Sequence, residues 1–397
     1  IYTLSLHDAL PIYELARRTI KGSVRNVDGG EMIRTAIVGA GGIAELHVSA
    51  MKRLDARPAA VIAETEDEAR AFAARHGIPR WGMELELISD PAIDAVHLCT
   101  PPSTHSGLIR FCLDQGKHIY CEKPLCLDAD EAAVLAEAAR ERGSVCAVGF
   151  NVRFYPACLA LRARIRSGDF GRPLLIHGDY LQSFHALPAR YQWRYDPAIG
   201  GPMRAVTEIG SHWLDLARFI TGLEITAVSA RLGRFFPKRR IGPDGMMSPE
   251  DESGEGEVIQ VESEDAAIIH LQFGEGTIGS VVLSEVSPGR ENRLTIEATC
   301  ERGNFWWNSE ANGVLSVSRK GGPIQTESFG FGEGFGDTFY SSIGLFYRTV
   351  LSPERRDGSA RLPTFDDGAE NAAVCAAILE SDRRGSEWVA VRGAGRS

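Results

Sequence analysis

The chain has 397 residues, 44% hydrophobic and 24% charged, an ordinary composition for a folded globular protein; at roughly 150 residues per domain it predicts two to three domains. Its 43 Lys+Arg against 53 Asp+Glu give a net charge of −10, so no global basic field is available to a nucleic-acid backbone. No apolar run approaches the ~18 residues a membrane helix needs, so neither nucleic acid nor a bilayer is an expected partner.

Residues 1–31 stand apart from the rest. "IYTLSLHDALPI" reads as vector or adapter sequence, so this segment is expected to be a non-native or disordered extension, with Met32 the natural start. Asp8 and Glu14 interrupt any signal-peptide layout. The 8 cysteines, at positions 99, 112, 121, 126, 146, 158, 300 and 375, form no C-x-x-C pair and no zinc-ligand spacing. They predict reduced, buried thiols, a cytoplasmic location and no metal.

From Ile33 onward, short apolar runs alternate with helical stretches. "IRTAIVGA" predicts a buried strand, "IAELHVSAMKRL" a helix, "PAAVIAE" a second strand and "DEARAFAARHG" a helix closed by Gly77. The alternation continues through "AIDAVHLCTPP", "HSGLIRFCLDQG", "KHIYCEKP", "ADEAAVLAEAARERG" and "SVCAVGFN". The fold class is therefore α/β, with a parallel-sheet dinucleotide-binding domain of Rossmann type over 32–150. After Asn151 the runs become β-rich, from "PLLIHGDYLQ" to "GVLSVSR", with hairpin turns at Gly274-Glu275-Gly276 and Asn312-Gly313. One helix, "VTEIGSHWLDLARFITG", interrupts them and stops at Gly222. Residues 151–397 thus predict an α+β domain with a large, mostly antiparallel open-faced sheet and a C-terminal helix. The Gly-, Asp- and Glu-rich stretch 241–265 is expected to be an exposed loop, and "FGFGEGFGDTFY" (329–340) a flap over the substrate.

Three places carry chemistry. In "AIVGAGGIAELH", Gly39, Gly41 and Ala44 form G-x-G-x-x-A between a strand and a helix; Gly41, Gly42 and Ile43 offer backbone amides at a helix N-terminus to a pyrophosphate. Glu64 ends the second strand, where a carboxylate accepts hydrogen bonds from both adenosine ribose hydroxyls; Thr65 follows instead of Arg, which favours NAD over NADP. Thr100, Pro101, Pro102, His105 and Glu122 lie at strand ends on the ligand edge of the sheet, and Lys123 points into the same crevice. On the later helix, Glu208, His212 and Asp215 share one face.

These motifs together, with "EIGSHWLDLA" downstream of E-K-P, resemble the Gfo/Idh/MocA oxidoreductases over essentially Met32 to Val391. The resemblance implies a nicotinamide cofactor, a sugar or polyol substrate, and catalytic roles for Lys123, His212 and the acid at 208. Here that acid is Glu, where the family usually has Asp. "GDYLQSFHALPARYQWRYDPAIGGP" is similar to the family's branch acting on pyranosides and anhydrosugars. That likeness implies Arg153, Gln182, Trp193 and Arg194 as substrate-binding residues, with Trp193 equally readable as core. It also implies a homo-oligomer, dimer or tetramer, formed through the open sheet face. The expected activity is an NAD(P)-dependent dehydrogenase acting on a secondary hydroxyl. His212 would be the base, poised by an imidazole that titrates near neutrality, and Lys123 would stabilise the alkoxide. The alternatives are an NAD-retaining enzyme that cleaves glycosides by oxidation, elimination and reduction, and a non-catalytic sugar and NAD sensor.

Overall fold

The computed structural model describes residues 33–56, 58–249, 255–330, 334–352 and 362–393; the expectation for 1–31 lies outside them. The first part alternates β1 (Thr35–Val38), α1 (Gly42–Arg53), β2 (Pro58–Ile62), α2 (Glu66–His76), β3 (Arg80–Gly82), β4 (Ala95–Leu98), α3 (His105–Asp114), β5 (His118–Cys121), α4 (Ala129–Glu141) and β6 (Cys146–Val148). Its strands form one parallel sheet in the order β3-β2-β1-β4-β5-β6. Every residue of β1 and β4 is buried, because helices cover both faces and leave no solvent side for a polar alternation. Thr65 caps α2 through the amide of Glu68, and Gly77 ends it at φ +71°, as the sequence predicts. The strand order reverses between β1 and β4, and ligands bind at that kind of switch point, outside the carboxyl ends of the strands.

The chain then forms α5 (Pro156–Arg166), β7 (Pro173–Leu181), β8 (Ala189–Arg190), the short α6 (Pro197–Gly200) and α7 (Ser211–Thr221). The strands β9 (Ile225–Gly233), β10 (Lys238–Ile241), β11 (Met246–Pro249), β12 (Glu257–Gln260), β13 (Ala266–Phe273), β14 (Ile278–Ser284), β15 (Arg293–Cys300), β16 (Gly303–Asn308), β17 (Val314–Arg319) and β18 (Ile324–Ser328) follow. Two long helices, α8 (Phe335–Leu351) and α9 (Phe365–Arg383), and the short β19 (Val389–Ala390) complete the described chain. The large sheet has the order β18-β17-β16-β15-β7-β14-β13-β9-β19, antiparallel except at β7–β14. Helices cover one face: Trp213, Leu214 and Ala217 of α7 and Val374 and Ile378 of α9 pack on Ile176, Ile269, Leu271 and Ile296. The other face is open and carries exposed Ile268, Ile278 and Val282, with Ile268 directly opposite Val282 in the β13–β14 ladder.

Two expectations need correction. Residues 241–265 are not a solvated loop: β10, β11 and β12 lie in and beside that stretch and form a small sheet with β8, in the order β12-β10-β11-β8. Its strands are too short for their alternation to show, and Arg239 is buried behind them by an ion pair with Asp265. The Gly- and Phe-rich segment is not a flap over its second half, since Phe335 opens α8 and Phe339 is buried against α1; residues 331–333 lie outside the described ones.

Both last helices return to the first sheet. Ile343, Phe346 and Tyr347 of α8 pack with Val48 and Met51 of α1, while α9 lies along α4. Thr364 caps α9 in a reciprocal box with Asp367 and bridges to Ala147 of β6. Arg153 is 1% exposed and lies between Asp215 of α7 and Asp367 of α9. Its Nε donates to Asp215 Oδ2 at 2.6 Å, and its terminal nitrogen also reaches Asp367 at 3.0 Å. Arg153 is therefore a buried strut joining three elements, not a substrate ligand, because its charge is already neutralised inside the protein.

Candidate active site

The turn after β1 fits a dinucleotide. Gly39 has φ +99°, and a Cβ there would lie 2.6 Å from the carbonyl oxygen of Cys99, so only glycine allows β1 and β4 to approach so closely. A Cβ at Gly41 or Gly42 would meet no protein atom within 4 Å. That open space lies over the start of α1, whose N-cap is Gly41 with no side-chain cap, so its first amides are free for an anion. Ile43 is half-buried beside them, and Glu64 is exposed just past the end of β2. Thr100 and Pro101 form the half-buried rim beyond β4, and Pro102 is buried beneath it.

Two residues expected on the cofactor lie under the rim instead. His105 is fully buried, its ring nitrogens 3.0 Å from the carbonyl oxygen of Thr100 and 2.9 Å from that of Pro124. It braces two crevice loops against each other, and burial lowers its pKa. Glu122 is 6% exposed; its carboxylate accepts from His47 at 2.9 Å and from the amide of Lys123 at 3.3 Å. Glu122 turns inward directly after β5 and Lys123 after it takes the crevice side, whereas His105 is buried as the first residue of α3, beneath the rim.

Lys123 crosses to the second part of the molecule. Its Nζ donates to the carbonyl oxygen of Glu208 at 2.9 Å and lies 3.5 Å from Glu208 Oε2. Glu208 sits in a π-helical turn, Val206–Gly210, that runs straight into α7. Such widened turns are frequent at functional sites, and this one frees carbonyl oxygens that an α-helix would use internally. Arg194 donates from Nε to Glu208 Oε2 at 2.9 Å and from Nη1 to Gln192 at 2.7 Å, while its guanidinium stacks on Trp193 at 4.5 Å. Burial opposes charge on Glu208, but Lys123 and then Arg194 outweigh it and hold the carboxyl at about 2. One oxygen of the Glu208 carboxylate thus faces both cations.

His212, in the first turn of α7, is 5% exposed, and its Nδ1 is enclosed without a hydrogen-bond partner. Burial and then the charge of Lys123 press its pKa down to about 3. The ring is thus held neutral throughout the ordinary working range, which corrects the expectation of an imidazole titrating near neutrality. Gln182 lies at the end of β7, and its amide donates to Asn292 at 2.7 Å. Lys123, Glu208, His212 and Arg194 come together; Arg153 does not join them.

A second set of buried charges lies behind the helix. Glu264 accepts from the amides of Arg204 at 3.1 Å and Val206 at 2.8 Å, fixing the start of the π-helical turn. Arg204 in turn pairs with Glu285 at 2.7 Å and Asp265 at 2.6 Å. His47, Glu264 and Glu285 escape a reading of the sequence alone. The available signals are the acidic pair opening an apolar strand in "SEDAAIIH" and a histidine among the apolar residues of the helix "IAELHVSAMKRL".

A sheet edge that offers glycine turns and a lysine, facing an acid-and-histidine helix from an open-sheet domain, defines a nicotinamide-dependent oxidoreductase. Residues 33–150 match the family model for the oxidoreductase family's NAD-binding Rossmann fold, and residues 158–306 match the GFO/IDH/MocA C-terminal domain. The chain belongs to the Gfo/Idh/MocA oxidoreductase family. It is 31% identical over 360 residues to levoglucosan dehydrogenase of Pseudarthrobacter phenanthrenivorans, covering 83% of this chain and 89% of that protein. It is 29% identical over 359 residues to scyllo-inositol 2-dehydrogenase (NAD(+)) of Bacillus subtilis, covering 89% and 95%. A levoglucosan dehydrogenase solved with NADH and L-sorbose superposes with TM-score 0.82 at 26% identity, covering 91% of this chain and 99% of that one.

Burial raises Glu264 to about 7, above the ordinary 4.5, so the folded protein holds its proton more tightly than the unfolded chain. The stability this contributes is complete below about pH 4.5 and is lost as pH rises through about 7. Urea unfolding of parent and Glu264→Gln across that window is expected to move in favour of the variant as pH rises. A pH-independent difference would show that Glu264 does not titrate there.

Proposed function

We propose that the protein oxidises a secondary hydroxyl of a sugar, glycoside or polyol with NAD. The observation that carries this reading is the meeting of Lys123 with Glu208 across the crevice, with His212 one turn further along the same helix. When bound, NAD supplies the hydride acceptor; Gly41, Gly42 and Ile43 would hold its pyrophosphate and Glu64 its ribose. Lys123 as ammonium donates a hydrogen bond to the reacting oxygen and stabilises the charge that develops on it. His212, neutral and with Nδ1 enclosed, takes the hydroxyl proton on Nε2. Glu208 stays ionised between Lys123 and Arg194, and its part is to hold both cations in place.

The relatives named for levoglucosan and scyllo-inositol, both polyhydroxylated rings, support the substrate class. Trp193 under the Arg194 guanidinium offers an apolar face beside the crevice. Gln182 is a weaker candidate, since Asn292 already takes one of its donors. We further propose a homo-oligomer in which the open face around Ile268, Ile278 and Val282 meets a second copy; charging Ile268 and Val282 together is expected to lower the mass seen by sedimentation, and an unchanged mass argues for another interface. The eight free, buried cysteines support a reducing, cytoplasmic setting. No helix among the described residues is long and apolar enough to cross a membrane.

Lys123→Ala and His212→Ala are each expected to cut kcat by ~10² or more while NADH affinity changes little. The assay is a panel of sugars and polyols with NAD, followed by absorbance of the reduced cofactor. If NADH does not accumulate while glycoside is cleaved, the enzyme retains its cofactor; a fully active Lys123→Ala removes the mechanism. Because Glu64 stands free and no arginine follows it, kcat/KM with NAD is expected to exceed that with NADP, and Glu64→Ala to narrow the gap. Equal use of both cofactors by the parent would sink the assignment.

A further inference from the structure

Beneath the crevice a line of polar groups runs through an otherwise apolar layer between the first sheet and α8. Glu122 Oε1 lies 2.9 Å from His47 Nε2, His47 Nδ1 lies 3.0 Å from His97 Nδ1, and His97 Nε2 lies 3.0 Å from the Tyr347 hydroxyl. His47, His97 and Tyr347 are fully buried, so no water is available to rescue a mismatched donor or acceptor. The proton order follows from the Glu122 end. With the carboxylate as acceptor and one proton on each ring, His47 carries its proton on Nε2, which leaves Nδ1 as an acceptor. His97 therefore donates from its own Nδ1, and its Nε2 accepts from Tyr347. Every bond in the chain points toward Glu122.

Glu122 in turn has no freedom to move. Its amide donates to the Leu98 carbonyl oxygen at 2.9 Å, its second carboxylate oxygen accepts the amide of Lys123, and a Cβ at Gly149 would lie 2.7 Å from its Oε1. We propose that Glu122 and His47 are positioning residues for Lys123, with the buried chain from Tyr347 fixing which way Glu122 faces. The lysine leaves the end of β5 on a turn whose first amide is held by this carboxylate, and it must cross the crevice to Glu208. A rotated Glu122 carboxylate would release that turn. The proposal rests on the reading of Lys123 given above and assigns Glu122 a place other than on the cofactor.

His47→Leu preserves apolar packing and removes the donor, whereas His47→Gln keeps a donor nitrogen at a similar reach. With the best sugar of the panel, His47→Leu is expected to lose about 10-fold or more in kcat, and His47→Gln to return to within about 3-fold of the parent. NADH affinity from fluorescence titration, which also counts folded sites, is expected to stay within about 2-fold in both. Equal kcat in the two variants, or a loss carried by NADH affinity alone, overturns the proposal. Nitrogen NMR of the parent labelled at histidine needs no substrate and no variant to fold: one neutral ring protonated on Nε2 with that proton strongly hydrogen-bonded, and one protonated on Nδ1, are expected. Tyr347→Phe is expected to perturb the signals of both rings. A doubly protonated His47 overturns the chain. Should the parent turn over no sugar or polyol at all, the functional reading fails, and the nitrogen signals still decide the proton order.

Discussion

One charge contact organises the molecule: an ammonium at the end of a parallel strand meets a carboxylate and a carbonyl oxygen on a helix contributed by the other half of the chain. Neither half holds a reactive arrangement by itself. The sheet delivers Lys123 because parallel strands end together on one edge, and the helix delivers Glu208 from its widened turn and His212 from the regular turn that follows. The electrostatics follow from that meeting. Two cations around one half-buried carboxylate keep it ionised, and the same lysine, with burial, keeps the histidine neutral. The site therefore holds a fixed proton inventory, with a donor cation and an empty base side by side.

That inventory depends on parts that never touch a substrate. Glu264 and Arg204 fix the start of the π-helical turn from behind, and Arg153 ties α7 to α9. The ion pairs of Arg204 and Arg153 are buried, so removing a single partner leaves the other unsolvated and costs more than the pair contributes. Precision at Lys123, Glu208 and His212 is thus maintained by ion pairs that resist small displacements. The apolar core around Trp213 and Ile296 supplies bulk but little direction.

Much of this was legible in the sequence, and the boundary has a physical cause. The strand–glycine turn–helix at 35–53 and the alternation through Val148 carry periodic signals, and each predicted element of the first sheet is present. Lys123, Glu208 and His212 were legible as candidates because motif and spacing marked them, and the fold brings the three together. What was not legible depends on pairing between distant positions: Arg153 with Asp215 and Asp367, Glu122 with His47, and β10–β12 with β8. No period in the chain encodes such partners. An exposed arginine and a buried one read alike until the fold brings their carboxylates near. The same blindness hid the state of His212, whose pKa is set by burial and by a lysine far away in sequence.

The return of α8 and α9 to the first sheet has a mechanical meaning. The chain enters the second lobe after Phe150, comes back along α1 and α4, bonds Pro363 to Val148, and ends as β19 on the far sheet. The lobes are thus stitched together at several separate crossings instead of swinging on one strap. A clamshell opening about a single hinge would have to tear Thr364 from Ala147 and shear α8 off α1. Such an arrangement leaves access to the crevice to the short rim segments around Thr100 and Trp193, whose local motion would keep Lys123, Glu208 and His212 in register.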